Sequence, residues 1–263
     1  MKRFFVVSLL ILGLAYPQVN AQDPASKGLE IAQKADTADQ GFESTSVKLT
    51  MILRNKNGQE SQRSLQNKTL EFLADGDKSM ITFDSPKDVR GTAILTYTHK
   101  EGTDDQWLYL PAIKRVKRIS SDNKSGPFMG SEFAYEDLSS QEVEKYTYKF
   151  VREESLNGES TLVVERDPVD PKSGYTRQLV WYNPAKGYRI EKTEFYDRRN
   201  ALLKTLTYSK YQAYQDKFWR AGELYMVNHQ TGKETRLLFE NYEFGTGLSE
   251  NDFTQNSLKL AGR

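Results

Sequence analysis

From Thr45 onward the side chains alternate in character, with Val47, Leu49, Met51 and Leu53 interleaved with Ser46, Lys48, Thr50 and Ile52. A period of two sends alternate residues to opposite faces of an extended chain, so this segment is expected to be a strand with one buried face. Asn55-Lys56-Asn57-Gly58 follows and supplies a turn whose Asn-Gly pair tolerates positive φ. The alternation returns at Arg63 to Leu73, Lys78 to Asp84, Gly91 to Tyr97, Gln106 to Leu110 and Val116 to Ile119. Further on, Lys145 to Glu154 and Ser160 to Arg166 flank Asn157-Gly158, a strong hairpin signal. Tyr175 to Asn183, Tyr188 to Tyr196, Ala201 to Tyr214, Ala221 to Asn228 and Thr235 to Tyr242 continue the series.

These thirteen runs, read as about eleven strands joined by short turns with little helix between them, imply antiparallel connectivity. Helix is expected at the two ends. Asp23 is an N-cap followed by Pro24 in the first turn, and a weak apolar stripe from Leu29 to Ala38 predicts an amphipathic helix up to about Asp39. Ser249 with Asp252 three residues on predicts a short helical turn around Glu250 to Phe253. No linker, low-complexity tract or repeat of fixed length interrupts residues 22–263, which are expected to form one domain.

The N-terminus does not fit this strand pattern. Lys2-Arg3 precedes an apolar run from Phe4 to Leu14, too short to span a bilayer, and Val19 and Ala21 stand where a signal peptidase reads small side chains. Residues 1–21 are expected to be a signal peptide cleaved after Ala21, which sends the chain to the bacterial periplasm. The sequence contains no cysteine, so the chain is not itself a lipoprotein and gains no disulfide; its core and strand ladders must hold it together. With 37 basic and 36 acidic residues the charge is nearly balanced, and any electrostatic preference must be local.

Catalytic chemistry finds little to work with. His99 and His229 are the two histidines, and neither has a second histidine or a carboxylate at ligand spacing. There is no thiol, no Gly-x-Ser-x-Gly elbow and no phosphate-cradling glycine loop. Paired acids such as Asp104-Asp105 and Glu153-Glu154 sit in turns or strand ends. The expectation is a protein that is not an enzyme, with no cofactor, no metal and no nucleic-acid partner.

Trp107 to Leu138 is the stretch that packing alone explains least. Trp107, Leu108, Tyr109 and Leu110 make both faces of one strand apolar, so both must be covered; protein on one side and a ligand or helix lid on the other satisfies this, and so does a strand sandwiched between helix and sheet. Lys114, Arg115, Lys117 and Arg118 place four cations within five residues. They suit anionic lipid head groups, an acidic partner, or a charged edge strand guarded against aggregation. Phe128 and Met129 form an apolar tip between Gly126 and Gly130, with Phe133 and Tyr135 following. The tip is expected either to insert into a cavity mouth, a partner or a membrane interface, or to act as a structural plug.

Trp107-Leu108-Tyr109-Leu110-Pro111, the basic run from Lys114 to Ile119, Phe128-Met129-Gly130-Ser131 and Tyr135-Glu136-Asp137-Leu138 together resemble the signature of the LolA-like outer-membrane lipoprotein-sorting protein family. Gly91-Thr92-Ala93, Phe195-Tyr196-Asp197 and Leu203-Lys204 resemble its flanking elements. The resemblance implies a mainly β, unclosed antiparallel β-barrel, LolA/LolB-like, with an N-terminal helix and short helices across its concave face. It further implies a monomeric periplasmic carrier whose cavity shields acyl chains of a lipid or lipoprotein. Relatives of this branch are often encoded beside resistance-nodulation-division type transporters, which implies an inner-membrane exporter and an outer-membrane acceptor as partners, or an adaptor or sensor that docks the transporter without moving lipid. On this reading Trp107, Leu108, Tyr109, Leu110, Phe128, Met129, Phe133 and Tyr135 would form the cavity and its gate, and Lys114, Arg115, Lys117 and Arg118 the docking surface.

Overall fold

The computed structural model describes residues 22–261; the expected signal peptide lies outside them. Helix α1 (Pro24–Asp39) starts where Asp23 accepts from the Ser26 N–H at 3.1 Å, with Pro24 in its first turn. Six strands follow: β1 (Ser44–Arg54), β2 (Glu60–Leu70), β3 (Lys78–Ser85), β4 (Ala93–Tyr97), β5 (Asp105–Leu110) and β6 (Arg115–Ile119). After an irregular segment come β7 (Tyr146–Leu156), β8 (Glu159–Pro168), β9 (Tyr175–Asn183), β10 (Arg189–Asp197) and β11 (Leu202–Ser209). The chain ends with β12 (Gln212–Tyr214), β13 (Phe218–Arg220), β14 (Glu223–Asn228), β15 (Glu234–Phe244) and α2 (Gln255–Ala261).

Thirteen strands form one antiparallel sheet in the order β6-β5-β4-β3-β2-β1-β15-β14-β11-β10-β9-β8-β7, and β12 and β13 make a separate hairpin. Two meanders are joined by the β1–β15 pairing, and the end strands β6 and β7 do not pair, so the sheet is not closed into a barrel. The count exceeds the expected eleven or so. The run from Ala201 to Tyr214 breaks at Lys210, which adopts φ 55°, and β13 is three residues long, too short to show a period.

This topology sets the path of the irregular segment. The chain leaves β6 at one edge of the sheet and re-enters in β7 at the other, so residues 120–145 must cross a face. They cross the face that carries Leu49, Met51, Leu65, Phe83, Phe195 and Met226, which we call the inner face. Short 3₁₀ turns at Ser121–Asn123, Phe128–Gly130, Tyr135–Leu138 and Val143–Lys145 tighten the crossing.

The outer face over β3–β5 is covered by the C-terminus, where Phe253 and Leu258 pack on Met80, Ala93, Leu95 and Tyr109. Ser249 and Asp252 form the reciprocal cap expected from their spacing.

Helix α1 lies over β7 and β8, burying Ile31 and Ala32 against Tyr148, Val164, Val180 and Tyr182. Gly28 makes the approach possible. A Cβ there would sit 2.8 Å from the backbone nitrogens of Lys149 and Phe150, atoms that cannot turn aside. Gly28→Ala is therefore expected to destabilise the protein by about 1–3 kcal/mol despite alanine's better helix propensity, measurable by urea denaturation.

Candidate functional site

A cavity of about 440 Å³ lies between α1, the crossing segment at residues 140–143, the β12–β13 hairpin and the inner face of β8, β10, β11, β14 and β15. That volume falls in the range of about 300–1,000 Å³ typical of small-molecule sites. Its floor comes from strand positions two apart, so that side chains such as Tyr182, Tyr208, Leu224 and Phe239 share one face. Tyr148, Tyr182 and Tyr208 have their phenols pushed up by burial. They present rings and hydroxyls to the cavity without charge.

The hairpin closes one end. Gln215 and Asp216 both take positive φ at its tip. Arg220 forms an ion pair with Asp39 of α1, and Lys217 donates to the Gln40 carbonyl. Arg189 lies 4.7 Å from the Trp219 ring and 4.1 Å from that of Tyr211. Helix and hairpin are thus tied together across the cavity's end.

Another part of the wall is acidic. Asp77 accepts from the Ser140 hydroxyl at 3.1 Å and from the Phe72 N–H at 3.1 Å, yet burial carries its pKa to about 6. Glu142 is carried to about 7, first by burial and then by Asp77 and Asp36. In the unfolded chain these carboxyls titrate near 3.8 and 4.5, so between those values and the folded ones the native state holds the extra protons. Stability is complete below the unfolded values and is lost as pH rises through about 6 and about 7. The melting temperature is therefore expected to fall from about pH 5 to about pH 8, and an Asp77→Asn, Glu142→Gln variant to flatten that slope, as read by scanning calorimetry.

The sequence-predicted residues lie elsewhere. Trp107 and Tyr109 are on the outer face of β5, in the cluster with Phe253 and Leu258, and Trp107 meets the Tyr97 ring edge-on at 5.1 Å. Leu108 and Leu110 face inward, against the crossing segment. Both faces of β5 are therefore covered by the chain itself, the outer one by the C-terminus and the inner one by residues 128–138. Phe128 is fully buried and Phe133 is 4% exposed, with Met129 and Tyr135 half-buried beside them. Phe128 contacts the Phe83 and Tyr135 rings at centroid separations of 5.7 and 5.6 Å. The glycine-flanked tip is a plug in the inner core, and none of the eight residues expected to form the cavity and gate lines the cavity. The reason is the edge-to-edge crossing, which lays this segment against β1–β5 while the space stays open nearer α1.

The plug is pinned by polar contacts. Lys204 donates to Asp137 at 2.6 Å and to the Glu132 carbonyl at 3.0 Å, and the Tyr175 hydroxyl donates to the other Asp137 oxygen at 2.8 Å. Asn228 donates to Glu132 at 2.6 Å, and Arg63 to the Met129 carbonyl at 2.5 Å. This gives the Tyr135-Glu136-Asp137-Leu138 and Leu203-Lys204 motifs a physical role: they are two halves of one buried ion pair.

The basic run forms the free edge of the sheet. Lys114 sits in a left-handed turn at φ 50°, and Arg115, Lys117 and Arg118 are exposed on β6, with Arg118 paired to Asp105. Of the two histidines, His99 is held at 2.6 Å from Asp75 and 3.5 Å from Asp105, and His229 meets the Thr205 hydroxyl. Among the described residues no group of three His, Cys, Asp or Glu side chains is arranged to hold a metal, and no helix is long and apolar enough to cross a membrane.

Arg166, which lines the cavity and is 5% exposed, is not among the residues expected from the sequence. The signal was present, because Leu162, Val164 and Arg166 are two apart and the first two face α1. A cation at the third position of that series must point inward.

A family model described as "Uncharacterized protein" matches residues 75–260. No curated protein matches the chain. Among solved structures, an outer membrane lipoprotein-sorting protein domain from Vibrio parahaemolyticus is 55% identical, with a TM-score of 0.88 over 89% of this chain and 99% of that one. A DUF1329 family protein from Desulfovibrio piger is 28% identical, with a TM-score of 0.85 over 90% and 100% of the two chains. A LolA superfamily protein from Nitrosomonas europaea shares the fold at 22% identity, with a TM-score of 0.70 over 88% and 98%. The 55% identity over nearly the whole of the Vibrio domain shows the family, and the open antiparallel sheet is the LolA-like fold: the chain belongs to the outer-membrane lipoprotein-sorting protein family.

Proposed function

We propose that the protein is a periplasmic carrier that shields acyl chains of a lipid or lipoprotein and passes them between an inner-membrane exporter and the outer membrane, with residues 22–263 acting as one unit after loss of the signal peptide. The observation that carries this reading is the cavity of about 440 Å³ between α1 and the inner face, where aromatic rings, Phe239 among them, with Ile190 and Leu224 make an apolar stretch of wall beside its charged parts. Burying an acyl chain is worth about 0.8 kcal/mol per methylene, so even a partly enclosed chain gains several kcal/mol before ordering costs. The Vibrio relative is a lipoprotein-sorting protein domain by name, which fits the same class of cargo. No energy source is needed within the chain if an exporter loads it and a better acceptor unloads it.

The exposed cations of β6 support a second reading, in which the protein docks a transporter without moving lipid. Native mass spectrometry of gently purified protein separates the two. Co-purifying lipid, or stoichiometric uptake of a fluorescent fatty acid by the emptied protein, is expected of a carrier. An empty protein that takes up none, yet is captured by a transporter through Lys114, Arg115, Lys117 and Arg118, would replace the carrier with the adaptor.

A further inference from the structure

Two cationic residues are buried among the described residues, Lys204 at 3% exposure and Arg166 at 5%. Lys204 has its carboxylate in Asp137. Arg166 has none. Its Nε donates to the Gln178 amide oxygen at 2.8 Å and its Nη2 to the Gln141 amide oxygen at 3.1 Å. The Tyr146 ring covers one side at 4.5 Å, and the phenols of Tyr148, Tyr182 and Tyr208 complete the surroundings. All of these groups are neutral.

A guanidinium cannot relieve its burial by losing a proton, and a buried cation without a counter-charge is costly. Holding two glutamine oxygens takes only neutral donors, so that work alone does not call for a buried charge. Its planar fork carries five donors, more than the two amides use, and matches a carboxylate or phosphate. The donors also converge: the Gln141 oxygen accepts from Arg166 and, at 2.6 Å, from the Tyr146 hydroxyl. One neutral oxygen on the crossing segment thus occupies a place built for a charged one. Arg166 and Gln141 both line the cavity, whose apolar side chains Leu224 and Phe239 lie on β14 and β15.

We propose that Arg166 receives the anionic head group, a carboxylate or a phosphate, of an amphiphile whose apolar body occupies the cavity, the head group displacing the Gln141 amide. This rests on the carrier reading and names the class of cargo.

Calorimetric titration of the emptied full chain with dodecanoate, dodecyl phosphate, dodecanol and inorganic phosphate tests it. The wild type is expected to bind at least one of the two anionic amphiphiles about tenfold or more tightly than dodecanol, and inorganic phosphate far more weakly than either. The tighter of the two identifies the head group. Arg166→Met is expected to lose that preference while holding dodecanol within about twofold; because the buried Gln178 oxygen loses its donor, its melting temperature is expected to fall, and binding is read well below that midpoint. Arg166→Lys, which keeps the charge but not the fork, is expected to recover part of it. Equal binding of dodecanol and both anions by the wild type, or an undiminished preference in Arg166→Met, would overturn the assignment and leave the carrier standing. Inorganic phosphate bound as tightly as dodecyl phosphate would mean an anion site without a tail. Failure of every amphiphile to bind would overturn the carrier reading itself.

Discussion

Lys204→Met is expected to destabilise the protein by about 3–5 kcal/mol, the usual cost of stripping one partner from a buried ion pair. Lys204 and Asp137 are 4% and 7% exposed at their side chains, so the orphaned carboxylate cannot turn to water. The Tyr175 hydroxyl and the Ala134 N–H would still donate to Asp137, but neither brings positive charge. The Glu132 carbonyl loses its donor as well. A double variant, Lys204→Met with Asp137→Leu, is expected to be more stable than the sum of the two single changes predicts, because removing both charges removes the unpaired one. Urea denaturation of the four proteins measures the coupling, and strict additivity would show that the pair does not hold the plug.

Phe128→Ala carries the next largest expected effect, a loss of about 3–5 kcal/mol from the emptied ring site and the contacts with Phe83 and Tyr135. Met129→Ala is expected to cost much less, since Met129 is half-buried and packs from the margin of the same cluster. The contrast separates a plug from a gate. A gate residue would leave stability nearly untouched and change the rate of ligand entry, whereas a plug residue changes the midpoint of unfolding. Below that midpoint, Phe128→Ala is expected to keep ligand affinity close to wild type, because Phe128 does not line the cavity.

Much of this fold is written in local pattern. The alternation from Val47 to Leu53 places Val47, Leu49 and Met51 in the core as a period of two requires, and Asn157-Gly158 turns the β7–β8 hairpin with both residues at positive φ. The caps at Asp23 and Ser249 begin the helical turns they predict. What could not be read was which distant segment covers which face. Trp107 to Leu110 demanded two covers, and periodicity is the same whether a cover is the C-terminal helix, residues 128–138 or a ligand. Phe128 between glycines had no local partner, and its burial follows from a path between opposite edges of the sheet that only the strand order reveals. The cavity was hidden for a related reason: Tyr148, Tyr182, Tyr208 and Tyr242 come from four separate strands, and tyrosine on an exposed strand looks the same in sequence. Arg166 alone carried a local signal, as the charged member of an inward-facing series.

The carrier role proposed for the protein requires an acyl chain in the space beneath α1, and Ala35→Trp removes that space. Ala35 lines the cavity from the helix and is half-buried, so an indole there fills the space without disturbing the Gly28 contact or the plug. Binding of a fluorescent fatty acid is to be compared between this variant and the wild type, with circular dichroism and the melting temperature confirming that both are folded. The predicted result is about one chain per wild-type molecule and binding at least about tenfold weaker in Ala35→Trp, the enclosed methylenes having lost their place. Equal uptake by the two folded proteins would place the acyl chain elsewhere and rule out this cavity as its site.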